Sequence, residues 1–194
     1  MARSDIKVAS LLAFTLVFAA SASLWAQVNP VPIKQKGAGS LIEERGDVNG
    51  DGKPDVWNYY VEAPADGKSG EVKRHLAKKE ADLDFNGTKD IIRMYDADGV
   101  LTQEEADLDF DGHIDQRNYY TDGTIREKRF YKNRTNNVFI WKFYKDGKLT
   151  QLHRDDDGDG KVDYCELWFA GEKLNKRGWD KDGDGECDYW ETAD

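Results

Sequence analysis

Five short stretches of this chain repeat one arrangement of oxygen-bearing residues. The fullest runs Asp155-Asp156-Asp157-Gly158-Asp159-Gly160-Lys161-Val162-Asp163-Tyr164-Cys165-Glu166. Counting Asp155 as position 1, Asp155, Asp157, Asp159, Asp163 and Glu166 stand at positions 1, 3, 5, 9 and 12, and Gly160 at position 6 allows a sharp turn. A hard divalent cation such as calcium gathers about six to eight oxygens at short range, and this spacing supplies them from one loop. Lys161 adds its backbone carbonyl at position 7, and Asp163 can bind through a water.

The other copies grade downward. Asp180, Asp182, Asp184, Asp188 and Glu191 repeat every ligand position, with Glu186 at position 7. Asp107, Asp109, Asp111 and Asp115 end on Asn118, and Asp47, Asn49, Asp51 and Asp55 end on Asn58. Asp82, Asp84, Asn86 and Asp90 form the poorest copy, because Lys89 lies within it and Arg93 takes position 12. A bidentate Glu at position 12 strengthens such a loop. The expected order of affinity therefore puts the loops at Asp155 and Asp180 first and the loop at Asp82 last.

These loops must be placed by the segments between them. They begin at residues 47, 82, 107, 155 and 180, so the gaps are 35, 25, 48 and 25. Asp98-Gly99, Asp122-Gly123, Asp146-Gly147 and Ala170-Gly171 recur at a fixed interval of 24, so the gap of 48 hides a sixth unit. Tyr131, Asn133, Thr135 and Phe139 hold its ligand positions, and no metal is expected there. The long first gap reads as a surface insertion around Ala63 to Lys73 with its own Asp66-Gly67 turn.

A spacing of 24 or 25 leaves, after one loop, only about a second loop's length before the next, with a turn in the middle. Two helices of about ten residues each do not fit, whereas two short strands do. The flanking runs, such as Val56-Trp57-Asn58-Tyr59-Tyr60 and Ile140-Trp141-Lys142-Phe143-Tyr144, are rich in aromatic and β-branched residues. Asp-Gly between such runs marks a hairpin. The expected fold is all-β: a meander of hairpins in units of about 24 residues, an open sheet or a solenoid, with the acidic loops on one edge and the turns on the other.

The loops resemble those of EF-hands and thrombospondin type 3 repeats, and the spacers resemble MORN-type β-hairpins. The resemblance implies calcium binding outside the cytosol and implies no reaction.

The N-terminus agrees with export. Arg3 and Lys7 precede the apolar run from Val8 to Ala20, which is too short to span a bilayer. Ala20-Ser21-Ala22 and Leu24-Trp25-Ala26 are alternative cleavage sites. The expected organisation is a signal peptide over 1–26, a flexible leader over 27–45 and the repeat domain over 46–194. No stable membrane span is expected once the signal is removed, and the location is expected to be secreted, periplasmic or at the cell surface.

The chain's formal charge of −10 argues against a nucleic-acid partner. Removing residues 1–26 leaves −11, and five bound calcium ions would bring this to about −1. Cys165 and Cys187 can form a disulfide in an exported protein. In an ideal sheet they would stand two strands apart, roughly 9 to 10 Å, so they are expected to remain unbonded. Paired carboxylates can also run glycoside hydrolysis, which makes an envelope polysaccharide hydrolase the alternative. Ligand spacing already accounts for the acids, however. The expectation is a non-enzymatic calcium-binding protein of the cell envelope or extracellular space. Its rigid sheet would serve as structure or as a surface for proteins or polysaccharide.

Overall fold

The structure is a computed structural model that describes residues 31–33, 40–64, 72–132, 134–169 and 171–193. The signal peptide expected over 1–26 lies outside them. The strands are β1 (Val31–Ile33), β2 (Ser40–Gly46), β3 (Val56–Pro64), β4 (Val72–Ala81), β5 (Ile91–Tyr95), β6 (Leu101–Ala106) and β7 (Gln116–Thr121), then β8 (Thr124–Tyr131), β9 (Val138–Lys145), β10 (Lys148–Arg154), β11 (Tyr164–Phe169), β12 (Lys173–Trp179) and β13 (Tyr189–Thr192). They form one sheet of 13 strands in sequence order, every neighbour antiparallel. β1 and β13 do not meet, so the sheet is open. No described residue is helical.

The turns explain the meander. Asp122-Gly123 and Asp146-Gly147 are two-residue connections in which both residues have positive φ, 49° and 51° for the Asp, 72° and 74° for the Gly. That twist matches the flanking strands. All the acidic loops fall on the opposite edge.

The five hairpins from β3–β4 to β11–β12 each carry a register shift that leaves one extra residue on the second strand: Ala77, Thr102, Arg126, Thr150 and Asn175. Such bulges increase local twist. The hydroxyls of Thr102 and Thr150 donate to the carbonyls of Met94 and Phe143 at 3.1 Å, satisfying acceptors the bulge frees.

A single layer leaves both faces partly wet. The fully apolar core is small, with Val56, Ala81, Ile91 and Ala106 beside Leu83, next to the loop edge. Elsewhere aromatic rings lie under basic side chains: Arg74 on Tyr60, Lys89 on Trp57, Arg117 on Tyr131 and Arg154 on Tyr164. Such pairs cover rings that have no second sheet to pack against.

Three expectations change. Residues 40–45, read as leader, belong to β2, because Leu41 and Ile42 pair with Val61 and Tyr60 of β3. The insertion after Ala63 partly lengthens a hairpin: Ala63 pairs with Lys73 and Pro64 with Val72. Asp66-Gly67 lies outside the described residues.

The third concerns the cysteines. Cys165 and Cys187 are bonded, with Cα atoms 6.3 Å apart. The expectation from ideal strands fails because Cys187 lies in the loop before β13. In the strand between them, Gly178 is the residue opposite Cys165 and leaves its side-chain position open. Trp190 fills that gap so closely that a Cβ at Gly178 would lie 2.8 Å from its ring, and the Trp190 indole N–H donates to the Cys187 carbonyl at 2.9 Å. The bridge closes a segment with a sequence separation of 22. Replacing both cysteines by serine should cost about 2–4 kcal/mol, read as a lower urea midpoint with a slope that stays equal or steepens as the unfolded chain expands.

Candidate metal centres

Each acidic loop is folded by its own carboxylates. The Asp at position 1 accepts the backbone N–H of position 6: Gly52 to Asp47, Gly87 to Asp82, Gly112 to Asp107, Gly160 to Asp155 and Gly185 to Asp180, all at 2.7–2.9 Å. Position 9 accepts the N–H of position 2, as in Val48 to Asp55, Leu83 to Asp90, Leu108 to Asp115, Asp156 to Asp163 and Lys181 to Asp188. Positions 3 and 5 each accept the N–H two residues on: Asp51 to Asn49 and Lys53 to Asp51, for example. An ionised carboxylate has about four acceptor sites, so these bonds leave oxygen free for a cation.

The ladder continues through the loops. The carbonyl at position 9 accepts the N–H of position 1 in the next loop: Asp82 to Asp55, Asp107 to Asp90 and Asp180 to Asp163. The ligand-poor sixth loop keeps the same stitches, Tyr131 to Asp115 and Asp155 to Phe139.

Four triads bring one carboxylate oxygen per residue within 4.8 Å of the others: Asp82, Asp84 and Asp90; Asp107, Asp109 and Asp115; Asp155, Asp157 and Asp163; Asp180, Asp182 and Asp188. Each can hold a metal ion, and the donors are all hard oxygens, as calcium or magnesium requires. Asp47, Asn49, Asp51 and Asp55 share the hydrogen bonds but have an amide at position 3. Of the position-5 carboxylates, Asp111, Asp159 and Asp184 stand outside the triads. Lys161 and Glu186, at position 7, donate their N–H groups to Asp159 and Asp184.

Position 12 does not join the triads. Glu166 sits in β11, where its carboxylate accepts from the Tyr164 hydroxyl and the Trp168 indole at 3.0 and 2.9 Å. Glu191 accepts from Tyr189 in β13. Both belong to a row that crosses the sheet through Glu44, Asn58, Lys79, Arg93, Glu104, Asn118, Lys128, Lys142, Leu152, Glu166, Arg177 and Glu191. These are cross-strand neighbours. The expected first rank of the loops at Asp155 and Asp180 loses its basis.

The basic residues held against the loop at Asp82 also turn elsewhere. Lys89 lies over the Trp57 ring at 4.1 Å, and Arg93 pairs with Glu104 at 2.6 Å. Asp90 is 0% exposed, and its Oδ1 has no hydrogen-bond donor. Burial raises its carboxyl above the usual range, the N–H groups of Leu83 and Asp84 oppose this, and the charges of Asp84 and Asp82 add to it. Asp109 is raised by burial and by Asp115, Asp111 and Asp107. Asp111 is lowered by a 2.9 Å bond from Arg134, and Asp180 by the Gly185 N–H.

At loop position 4 the backbone turns left-handed. Loops at Asp47, Asp155 and Asp180 place Gly50, Gly158 and Gly183 there, but the other two place Phe85 and Phe110, at φ 63° and 62°. Both rings are exposed, at 48% and 38%, as are Val48 and Leu108 in the loops at Asp47 and Asp107.

No protein-family model and no curated protein matches this chain. Among solved structures it is similar to an S. aureus TarM mutant in complex with Fondaparinux, alpha-GlcNAc-glycerol and UDP, at 12% identity and TM-score 0.33, over 84% of this chain and 23% of that one. It is also similar to a chain of a GtfA/B complex, at 15% identity and TM-score 0.32, over 68% of this chain and 21% of that one. The chain thus spans less than a quarter of either. These neighbours overturn the expectation of a non-enzymatic chain, which is dropped. At such TM-scores they carry no argument for a particular reaction.

Asp90→Asn separates the buried charge from the loop's shape, because the amide keeps an acceptor for Leu83 and Asp84. A carboxyl raised on folding contributes stability below its unfolded pKa and loses it as pH rises through the folded value. In chelator at neutral pH the variant should therefore be more stable than wild type by about 1–3 kcal/mol. Thermal melts at falling pH should show that difference shrinking.

Proposed function

We propose that the chain is an exported calcium-binding protein of the cell envelope or extracellular space, in which calcium stiffens a β-repeat surface that carries structure or binds a partner. The observation that carries this reading is the recurrence of one oxygen triad at the same loop positions along one sheet edge. Calcium suits loops that offer many oxygens in flexible geometry. The apolar stretch near the N-terminus and the disulfide support export. Among the described residues no helix is long and apolar enough to cross a membrane.

The interaction role rests on the loop tips. A non-glycine residue in the left-handed region costs about 1–2 kcal/mol, and an exposed ring there gains no core burial. Such strain concentrates at functional sites. Phe85 and Phe110, with exposed Val48 and Leu108, put apolar side chains on the acidic loops, where they are offered to an envelope or surface protein or a polysaccharide.

Calcium binding should stabilise the fold by linkage. One site gains about 1.4 kcal/mol at ten times Kd, so four or five independent sites gain roughly 6–7 kcal/mol. Thermal melts in chelator, in millimolar calcium and in millimolar magnesium should give a calcium rise of roughly 12–25 °C and a smaller magnesium rise. Equal melts in chelator and calcium would remove the calcium reading. For the tips, Phe85→Gly with Phe110→Gly should raise stability by about 1 kcal/mol per site, read by urea denaturation. A fall in stability would mean that the rings pack against the protein itself.

A further inference from the structure

Resting on the calcium reading above, we infer that the loop from Asp82 to Asp90 is the tightest calcium site of the chain, although its sequence ranks it last. Asp90 supplies an observation independent of the acidic cluster. It is 0% exposed, its Oδ2 holds the Leu83 and Asp84 N–H groups, and its Oδ1 has no donor. A buried carboxylate oxygen without a partner is destabilising, and proteins rarely retain one. Asp82, 3% exposed, and Asp84 bring their own oxygens within 4.8 Å of this carboxylate. A divalent cation at that point supplies the missing partner for Asp90 and screens all three charges.

The other loops lack this combination. Every residue of the Asp180, Asp182 and Asp188 triad is at least partly exposed. In the loops at Asp107 and Asp155 the buried carboxylate is that of position 1, and both its oxygens accept N–H groups, from Asp111 and Gly112 in one and from Gly158 and Gly160 in the other. In the loop at Asp82, Lys89 and Arg93 are both engaged outside the triad.

The site is also coupled to the core. The Asp90 N–H bonds the Ala81 carbonyl, and the Asp90 carbonyl accepts from Asp107. Ala81 and Ile91 are core residues, and Leu83 packs against them. A cation on Asp90 therefore braces the ladder where the core is densest, whereas one on Asp188 braces the sheet margin.

The test is isothermal calcium titration of the purified protein, with melts, for wild type, D84N, D90N, D182N and D188N. Asp84 is exposed and its carboxylate accepts from Asn86, so D84N keeps the test open if D90N does not fold. D84N and D90N should each weaken the tightest class about 10–100-fold and lower the calcium-induced rise in Tm by more than D182N or D188N does. D182N and D188N should leave that class intact and lose a weaker one. A tightest class that survives D84N and is lost in D182N or D188N overturns the ranking alone. A wild type that binds no calcium overturns the calcium reading beneath it.

Discussion

Everything in this molecule depends on backbone N–H groups holding carboxylates together at one edge of a sheet that has no second layer. A one-layer sheet buries little apolar surface, and the hydrophobic contribution that stabilises ordinary domains is correspondingly small. The ladder must carry more of the fold, and here it runs unbroken through the loops: position 9 of one bonds position 1 of the next. Outside the sixth loop the residues at those junctions are aspartates, and Asp55, Asp82, Asp90, Asp107 and Asp155 are all buried. Structural continuity and concentrated negative charge thus occupy the same atoms. The N–H donors offset part of the repulsion, and a cation held by the triads would offset what remains.

The fate of position 12 follows from the spacer. In a helix-flanked loop the exiting helix rises only about 1.5 Å per residue and winds position 12 back over the ion. A strand advances about 3.3 Å per residue and alternates its side chains. Position 10 begins the strand here, so position 12 moves away from the loop and faces the same side as position 10. Gln116 bonding Asn118 and Tyr164 bonding Glu166 record that relation. The same loop sequence therefore yields a different donor set when its neighbours are strands, with fewer protein oxygens and more of the shell left to water or a partner.

The fold was legible because its signals were periodic and local. The regular interval, the Asp-Gly turns and the alternating aromatic runs all specify hairpins, and none needs a distant contact to be read. The aspartate spacing likewise identified the members of the four triads. What stayed hidden depended on partners remote in sequence. The direction of Lys89 is set by Trp57, two strands earlier in the chain, and that of Arg93 by Glu104 on the next strand. The burial of Asp90 comes from its place between two neighbouring loops. The Cys165–Cys187 bridge depends on where the last loop places Cys187, ahead of a Trp190 ring packed on Gly178. The recurrent bulge had a faint signal, the near-even spacing of Ala77, Thr102, Arg126, Thr150 and Asn175, but its residue type varies.

The ligand-poor sixth loop shows how the edge balances charge without a metal. It sits between the loops at Asp107 and Asp155, and its own positions are Tyr131, Thr135 and Phe139. Arg134 takes the left-handed position 4, at φ 55°, and points its guanidinium at Asp111 of the preceding loop. Lys132 places its ammonium next to Gly158 of the following loop, 3.1 Å from where a Cβ would stand. Exposed pairs of this kind add little stability individually. Their effect is on the field: two fixed cations stand where the row of acidic loops would otherwise run uninterrupted. In this loop side-chain charge stands beside Asp111 and Gly158, and the backbone stitches on either side are the same as in the acidic loops.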